Sequence, residues 1–150
     1  MKRVNVRMEI EEGRRDIDVL FSASERDEQV EGLMARIGDP LAGVLTAYGP
    51  EGEAVPLSEE HIVSVSADNK RLKVVADDGI YWLKMSVQEA EKALNPSSFM
   101  RISRFEVINL AKVRGFDFSA AGTLRVAMEG GFETWASRRY IPEIKRRLQS

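Results

Sequence analysis

The stretch Phe99–Gly115, FMRISRFEVINLAKVRG, decides how the chain is read. It sets Arg101, Arg104, Lys112 and Arg114 around the apolar residues Ile102, Val107, Ile108, Leu110 and Val113. Successive side chains of an extended backbone face opposite ways, so such a segment buries one set while holding the cations out from a fixed frame. A binder of polyanions carried on strands is built in this way.

The charge of the whole chain agrees once it is divided. Residues 1–60 hold 7 Lys/Arg against 14 Asp/Glu, and residues 61–150 hold 15 against 10. Such asymmetry points to a segment that meets nucleic acid or an acidic surface. A length of 150 residues, 43% of them hydrophobic, suits one ordinary domain with a small appendage. With no cysteine there is no disulfide framework, thiolate metal site or thiol nucleophile, which suits a reducing compartment, the cytoplasm by default. Charges at Lys2, Arg3, Arg7 and Glu9 interrupt any signal peptide, and no segment approaches the roughly 20 apolar residues of a membrane span.

Residues 1–42 read as a β-β-α unit. Val4, Val6, Met8 and Ile10 alternate with polar neighbours, Glu12-Gly13 makes a turn, and Ile17, Val19 and Phe21 resume the period of two. Ser24 is placed to cap a helix whose stripe is Val30, Leu33, Met34 and Ile37 and whose stop is Gly38-Asp39-Pro40. So small a unit buries little core alone and must pack on the rest of the chain or on a second copy, which suggests a dimerisation or regulatory extension.

Residues 43–150 read as mainly β with a few short helices. The strands are VLTAY, AVPL, IVSVSA, LKVVA, IYWLKM, GTLRVAM and FETWAS, with turns at Pro50-Glu51-Gly52, Asp68–Arg71 and Asp77-Asp78-Gly79. Ser86 and Glu89 form a capping box for a helix that buries Ala90 and Leu94. Pro142 occupies the first turn of a closing helix that ends in Lys145, Arg146 and Arg147.

Catalytic chemistry is hard to assemble here. The single histidine, His61, allows neither a histidine-based triad nor a multi-histidine metal site, and the hairpin accounts for Asp77 and Asp78. No glycine-rich phosphate motif is present. The expectation is a non-enzyme with no metal and no cofactor. Trp82 and Trp135 lie in strand patterns and are expected in the core. The basic residues fall into three groups at or beside strand ends: Lys70, Arg71 and Lys73; Arg101 and Arg104; Arg138 and Arg139. Side chains so placed can enter a groove or grip phosphates without a recognition helix.

Over Leu57–Leu148, and most tightly in FMRISRFEVINLAKVRGF and ASRRYIPEIKRRL, the chain resembles the LytTR family of bacterial DNA-binding domains. The marks are the Phe-x-Arg-Ile-x-Arg segment leading to Val-Ile-Asn-Leu and a lysine, a glycine-rich hairpin, and Ser-Arg-Arg-Tyr before a basic helix. The resemblance implies an elongated β fold of small sheets whose loops enter successive major grooves of double-stranded DNA, commonly at repeated sites taken by two copies. It places the first loop on Asn69, Lys70 and Arg71, the second on Ser103 and Arg104, and the third on Arg138 and Arg139, with Asn109 structural at a strand end. The chain departs from the family pattern at Phe105, where a small polar residue is usual, at Glu106, where an aromatic is usual, and at Ser66, which replaces a frequent acidic residue.

With only 42 residues ahead of residues 43–150 there is no room for a phosphoacceptor receiver, so the chain looks like the short stand-alone regulators of this family. Among those, a membrane protein encoded alongside is often an inhibitor. The expectation is therefore a cytoplasmic, homodimeric, sequence-specific transcription regulator. Arg104, Arg139 and Arg71 are expected at base edges, and Lys70, Lys73, Arg101 and Arg138 on phosphates. The alternative is an adaptor whose basic face binds an acidic partner or a membrane surface.

Overall fold

Glu106, Val107, Ile108 and Asn109 are buried at four consecutive positions, which requires packing on both faces of their strand. In the computed structural model, which describes residues 2–38, 43–119 and 122–149, this is what surrounds them. The chain divides into two units, Met1–Ala42 and Gly43–Ser150.

In the second unit, β1 (Val44–Tyr48), β2 (Ala54–Ser58), β3 (Ile62–Asp68), β4 (Arg71–Ala76), β5 (Gly79–Leu83), β6 (Phe99–Ser103) and β7 (Glu106–Asn109) form one antiparallel sheet in the order β2-β1-β5-β4-β3-β7-β6. A second sheet has the order β10-β9-β8, from β8 (Val113–Asp117), β9 (Thr123–Met128) and β10 (Glu133–Ser137). The helices of this unit are α2 (Val87–Ala93) and α3 (Ile141–Leu148). Two cores lie on opposite faces of the large sheet. Phe99, Val107, Val65 and Leu94 belong to one, and Met100, Ile102, Ile108, Leu124, Val126 and Ile144 to the other. The alternation of Val107 and Ile108 between the two cores explains why the apolar run of the opening stretch is nearly continuous rather than strictly alternating.

Local chemistry follows the residue pattern closely. The Ser86 hydroxyl accepts from the Glu89 N–H at 3.1 Å, capping α2. Buried Asn109 donates to the Ile62 carbonyl at 2.9 Å and accepts from the Ala111 N–H at 3.0 Å, the structural role expected of it. Asp77 and Asp78 form the two-residue loop between β4 and β5, with Ala76 paired to Gly79. The Lys112 ammonium at 3.0 Å holds the Asp77 carboxyl below the usual carboxylate range, with His61 at 3.2 Å adding to the effect. These groups form an exposed ion cluster.

Several expectations are corrected. Trp135 is 53% exposed rather than core, because its strand alternates and Thr134 and Ala136 take the buried side. Trp82 is half-buried under an arginine. Gly115 lies inside β8, at an irregularity in the pairing with β9. In the first unit the helix α1 (Glu28–Gly38) starts later than Ser24, and Asp27 caps it by accepting from the Val30 N–H at 3.0 Å. The proposed stop at Asp39-Pro40 lies outside the described residues.

The two strands expected over residues 3–21 are not paired as strands, although the turn between them is present, with Gly13 at φ +85° and the Arg14 N–H 3.4 Å from the Glu11 carbonyl. The physical reason is the lack of a surface to bury. Val6, Met8, Ile10 and Ile17 are each more than three-quarters exposed, and a two-stranded ribbon alone is marginal in water. Divided at the unit boundary, residues 1–42 carry 7 Lys/Arg against 10 Asp/Glu and residues 43–150 carry 15 against 14, so part of the acidic excess belongs to the second unit.

Candidate nucleic-acid interface

The opening stretch folds as a hairpin rather than a single strand, and Arg104 and Phe105 form its tip between β6 and β7. Both are exposed, while Ile102 and Val107 on either side are fully buried. Arg101 fixes the tip from below. Its Nε donates to the Ser103 carbonyl at 2.9 Å and its Nη2 to the Arg104 carbonyl at 2.6 Å, while Nη1 lies 3.4 Å from the Glu91 carboxylate on α2. The planar guanidinium suits three such bonds at once. Ser103 accepts from the Phe105 N–H at 3.2 Å and so tightens the turn.

The β3–β4 turn lies beside this tip on the same edge. Ser66 pairs with Glu106, and the Ala67 N–H donates to the Phe105 carbonyl at 2.8 Å. Asn69 adopts φ +58°, the left-handed region that asparagine tolerates, which turns the chain and leaves Asn69, Lys70 and Arg71 exposed. Arg71 sits 4.4 Å above the Trp82 ring and 4.0 Å from Asp68, while Lys73 points out from the strand next to it. The structure thus brings the first two groups of cations together.

The third group follows β10. Arg138, Arg139 and Tyr140 form a single 3-10 turn that packs against β6. The Arg138 guanidinium lies over Gly122, where a β-carbon would come within 2.5 Å of it, and Arg139 lies 5.7 Å from the Tyr140 ring. Among the described residues, Lys70, Lys73, Arg104, Arg138 and Arg139 have no carboxylate within ion-pair distance, whereas Lys112 and Arg125 each have two and Arg146 has one.

Behind the tips, Glu106 is buried where the sheets meet and accepts a short hydrogen bond from the Thr134 hydroxyl of β10. Burial pushes its carboxyl above the usual range, and the Thr134 and Ser64 hydroxyls oppose this only in part. Sequence reasoning missed the Trp82 platform, though the two-residue loop at Asp77-Asp78 sets Lys73 opposite Trp82 and hence Arg71 diagonal to it. It missed the Arg101 clamp because that depends on the reversal of the chain between β6 and β7, which brings the Ser103 and Arg104 carbonyls back to the guanidinium.

Exposed cationic tips thus share one edge of the sheet, and among the described residues no α-helix is followed directly by another. The profile of the LytTr DNA-binding domain matches residues 52–149, and the chain belongs to that family. An uncharacterized HTH-type transcriptional regulator of Staphylococcus aureus strain COL is 25% identical over 143 residues, covering 88% of this chain and 97% of its own. A similarly named protein of a bovine strain is 24% identical over the same span. A solved LytTr DNA-binding domain from Bacillus cereus superposes with a TM-score of 0.67 at 23% identity, covering 72% of this chain and 98% of that one, and so shares the fold. The chain thus carries a DNA-binding domain of this β type, and no helix among its described residues is long and apolar enough to cross a membrane.

Proposed function

We propose that the chain is a sequence-specific transcription regulator that inserts its three tips into successive major grooves at repeated sites. The observation that carries this reading is the pairing of the β3–β4 and β6–β7 tips through the Ala67–Phe105 hydrogen bond, which holds Lys70 and Arg104 on one rigid edge. Arg104, Arg139 and Arg71 read base edges, where an arginine bidentate to guanine is the commonest specific contact. Lys70, Lys73 and Arg138 hold phosphates. Asn69 and Ser103 shape the first two tips, and Arg101, with its donors committed to backbone carbonyls, positions the second rather than gripping phosphate. Residues 1–42 supply dimerisation through the apolar side chains they leave exposed, which matches repeated sites to two copies of the chain.

Selection of bound duplexes from a random pool tests the whole reading: a pair of similar motifs at a helical-turn spacing is expected. Arg139→Ala should cost about 1–3 kcal/mol of discrimination at one position. Lys70→Ala should instead weaken binding to all duplexes alike and flatten the salt dependence by about one unit of slope. Equal discrimination by Arg139→Ala and the parent chain would remove the base-reading assignment.

A further inference from the structure

Phe105 is 61% exposed at the centre of the cationic edge, yet its backbone is fully committed. Its N–H donates to the Ser103 hydroxyl at 3.2 Å and its carbonyl accepts from Ala67 at 2.8 Å. The Cα–Cβ bond of Phe105 is therefore aimed by the sheet, while the ring belongs to neither core and lies in cation–π contact with Arg104. Around it on the same edge stand Arg104, Asn69 and Lys70, all polar and all exposed. An apolar ring presented among groups proposed to meet DNA is matched by an apolar group on the DNA, and the one that a major groove offers is the C5 methyl of thymine.

We propose that Phe105 is a specificity-determining residue that contacts a thymine methyl within about one base pair of the guanine read by Arg104. This rests on the DNA-reading function proposed above and adds a second letter to what the tip recognises. The spacing follows from the tip itself. The Arg104 guanidinium lies over the Phe105 ring at 5.8 Å from its centroid, so the two side chains reach the duplex as neighbours and their targets lie on the same or adjoining base pairs. Insertion of the ring between base pairs is disfavoured by the same geometry. Wedging side chains enter the minor groove and bend the duplex, whereas here the neighbouring arginine shares the apex and the backbone is held on both sides.

The test uses the full chain and the duplex recovered from the random-pool selection, with each thymine replaced in turn by deoxyuridine, which removes only the methyl. At one thymine per motif the substitution should weaken binding of the parent chain about fourfold, the transfer free energy of one methyl-sized group expressed as a ratio. Phe105→Ala should bind the thymine and uracil versions equally, and Phe105→Leu, still apolar, should keep part of the difference. Both variants replace an exposed side chain, and a urea midpoint equal to the parent's confirms that they remain folded. The assignment is overturned if the parent chain is indifferent to uracil at every thymine, or if Phe105→Ala discriminates as well as the parent. It is also overturned if the parent bends its duplex equally with thymine or uracil and Phe105→Ala abolishes the bend, the signature of a wedge. A selection that yields no common motif overturns the sequence-reading function and this assignment with it, whereas a clear motif without a methyl effect removes Phe105 alone.

Discussion

Glu106 sits one residue behind the tip, carries the only carboxylate among the buried polar residues described, and joins the two sheets through Thr134. Its folded-state carboxyl is raised by burial above its unfolded value. The folded chain therefore holds this proton more tightly than the unfolded chain does, and the group's destabilising effect is complete above the folded value and absent below the unfolded one. Stability attributable to Glu106 thus rises as pH falls through that window. Glu106→Gln, which keeps an acceptor for Thr134 without a charge, is expected to unfold at higher urea than the parent at neutral pH, with the margin closing towards acid. Denaturation midpoints across a pH series check this, and the difference between the two chains isolates Glu106 from the exposed carboxyls Asp77, Asp117 and Glu143, which are shifted the other way. The sequence marks Glu106 as unusual but cannot reveal its partner, since Thr134 lies 28 residues away on the other sheet.

At the scale of the element, the β6–β7 hairpin owes its shape to Arg101. Arg101→Ala removes two bonds to backbone carbonyls and should cost about 1–2 kcal/mol of stability. Arg101→Lys separates positioning from phosphate contact: a lysine would satisfy a phosphate, but it cannot reproduce a planar fork spanning two carbonyls. Selective binding should therefore fall in both variants while the salt slope stays that of the parent, as read from affinities at several ionic strengths. The residues 3–21 pose the opposite case, in which the pattern is clear and the element is not formed. A two-residue loop at Glu12-Gly13 would pair Val4 with Phe21, Val6 with Val19 and Met8 with Ile17 on one face, and Arg7 with Asp18 on the other. On the dimerisation proposed above, a second copy would supply the surface that this hairpin lacks. Val6→Asp is expected to shift the chain from dimer to monomer in sedimentation velocity while leaving the urea midpoint of residues 43–150 unchanged, since Val6 is 92% exposed in the single chain.

At the scale of the whole molecule, the second unit places two cores on opposite faces of one sheet, so a hairpin can be buried on both sides and still project its tip. That double burial holds the edge of loops on a fixed frame, as the proposed groove reading requires. The sequence by itself determined the strand-rich character of residues 43–150, the turns at Asp68–Arg71 and Asp77-Asp78, the Ser86 cap, and the identity of the cationic groups, because each rests on periodicity or on chemistry within a few residues. Only the tertiary structure decided that Trp135 faces out, that Arg71 rests on Trp82, that Arg101 clamps the tip instead of reaching out from it, and that Phe105 lies among the exposed cations. Those outcomes depend on which strands become neighbours, in the order β4-β3-β7-β6, and on which face each sheet turns to the other. A side chain's partner across a sheet is fixed by register between distant segments, and no local pattern carries that information.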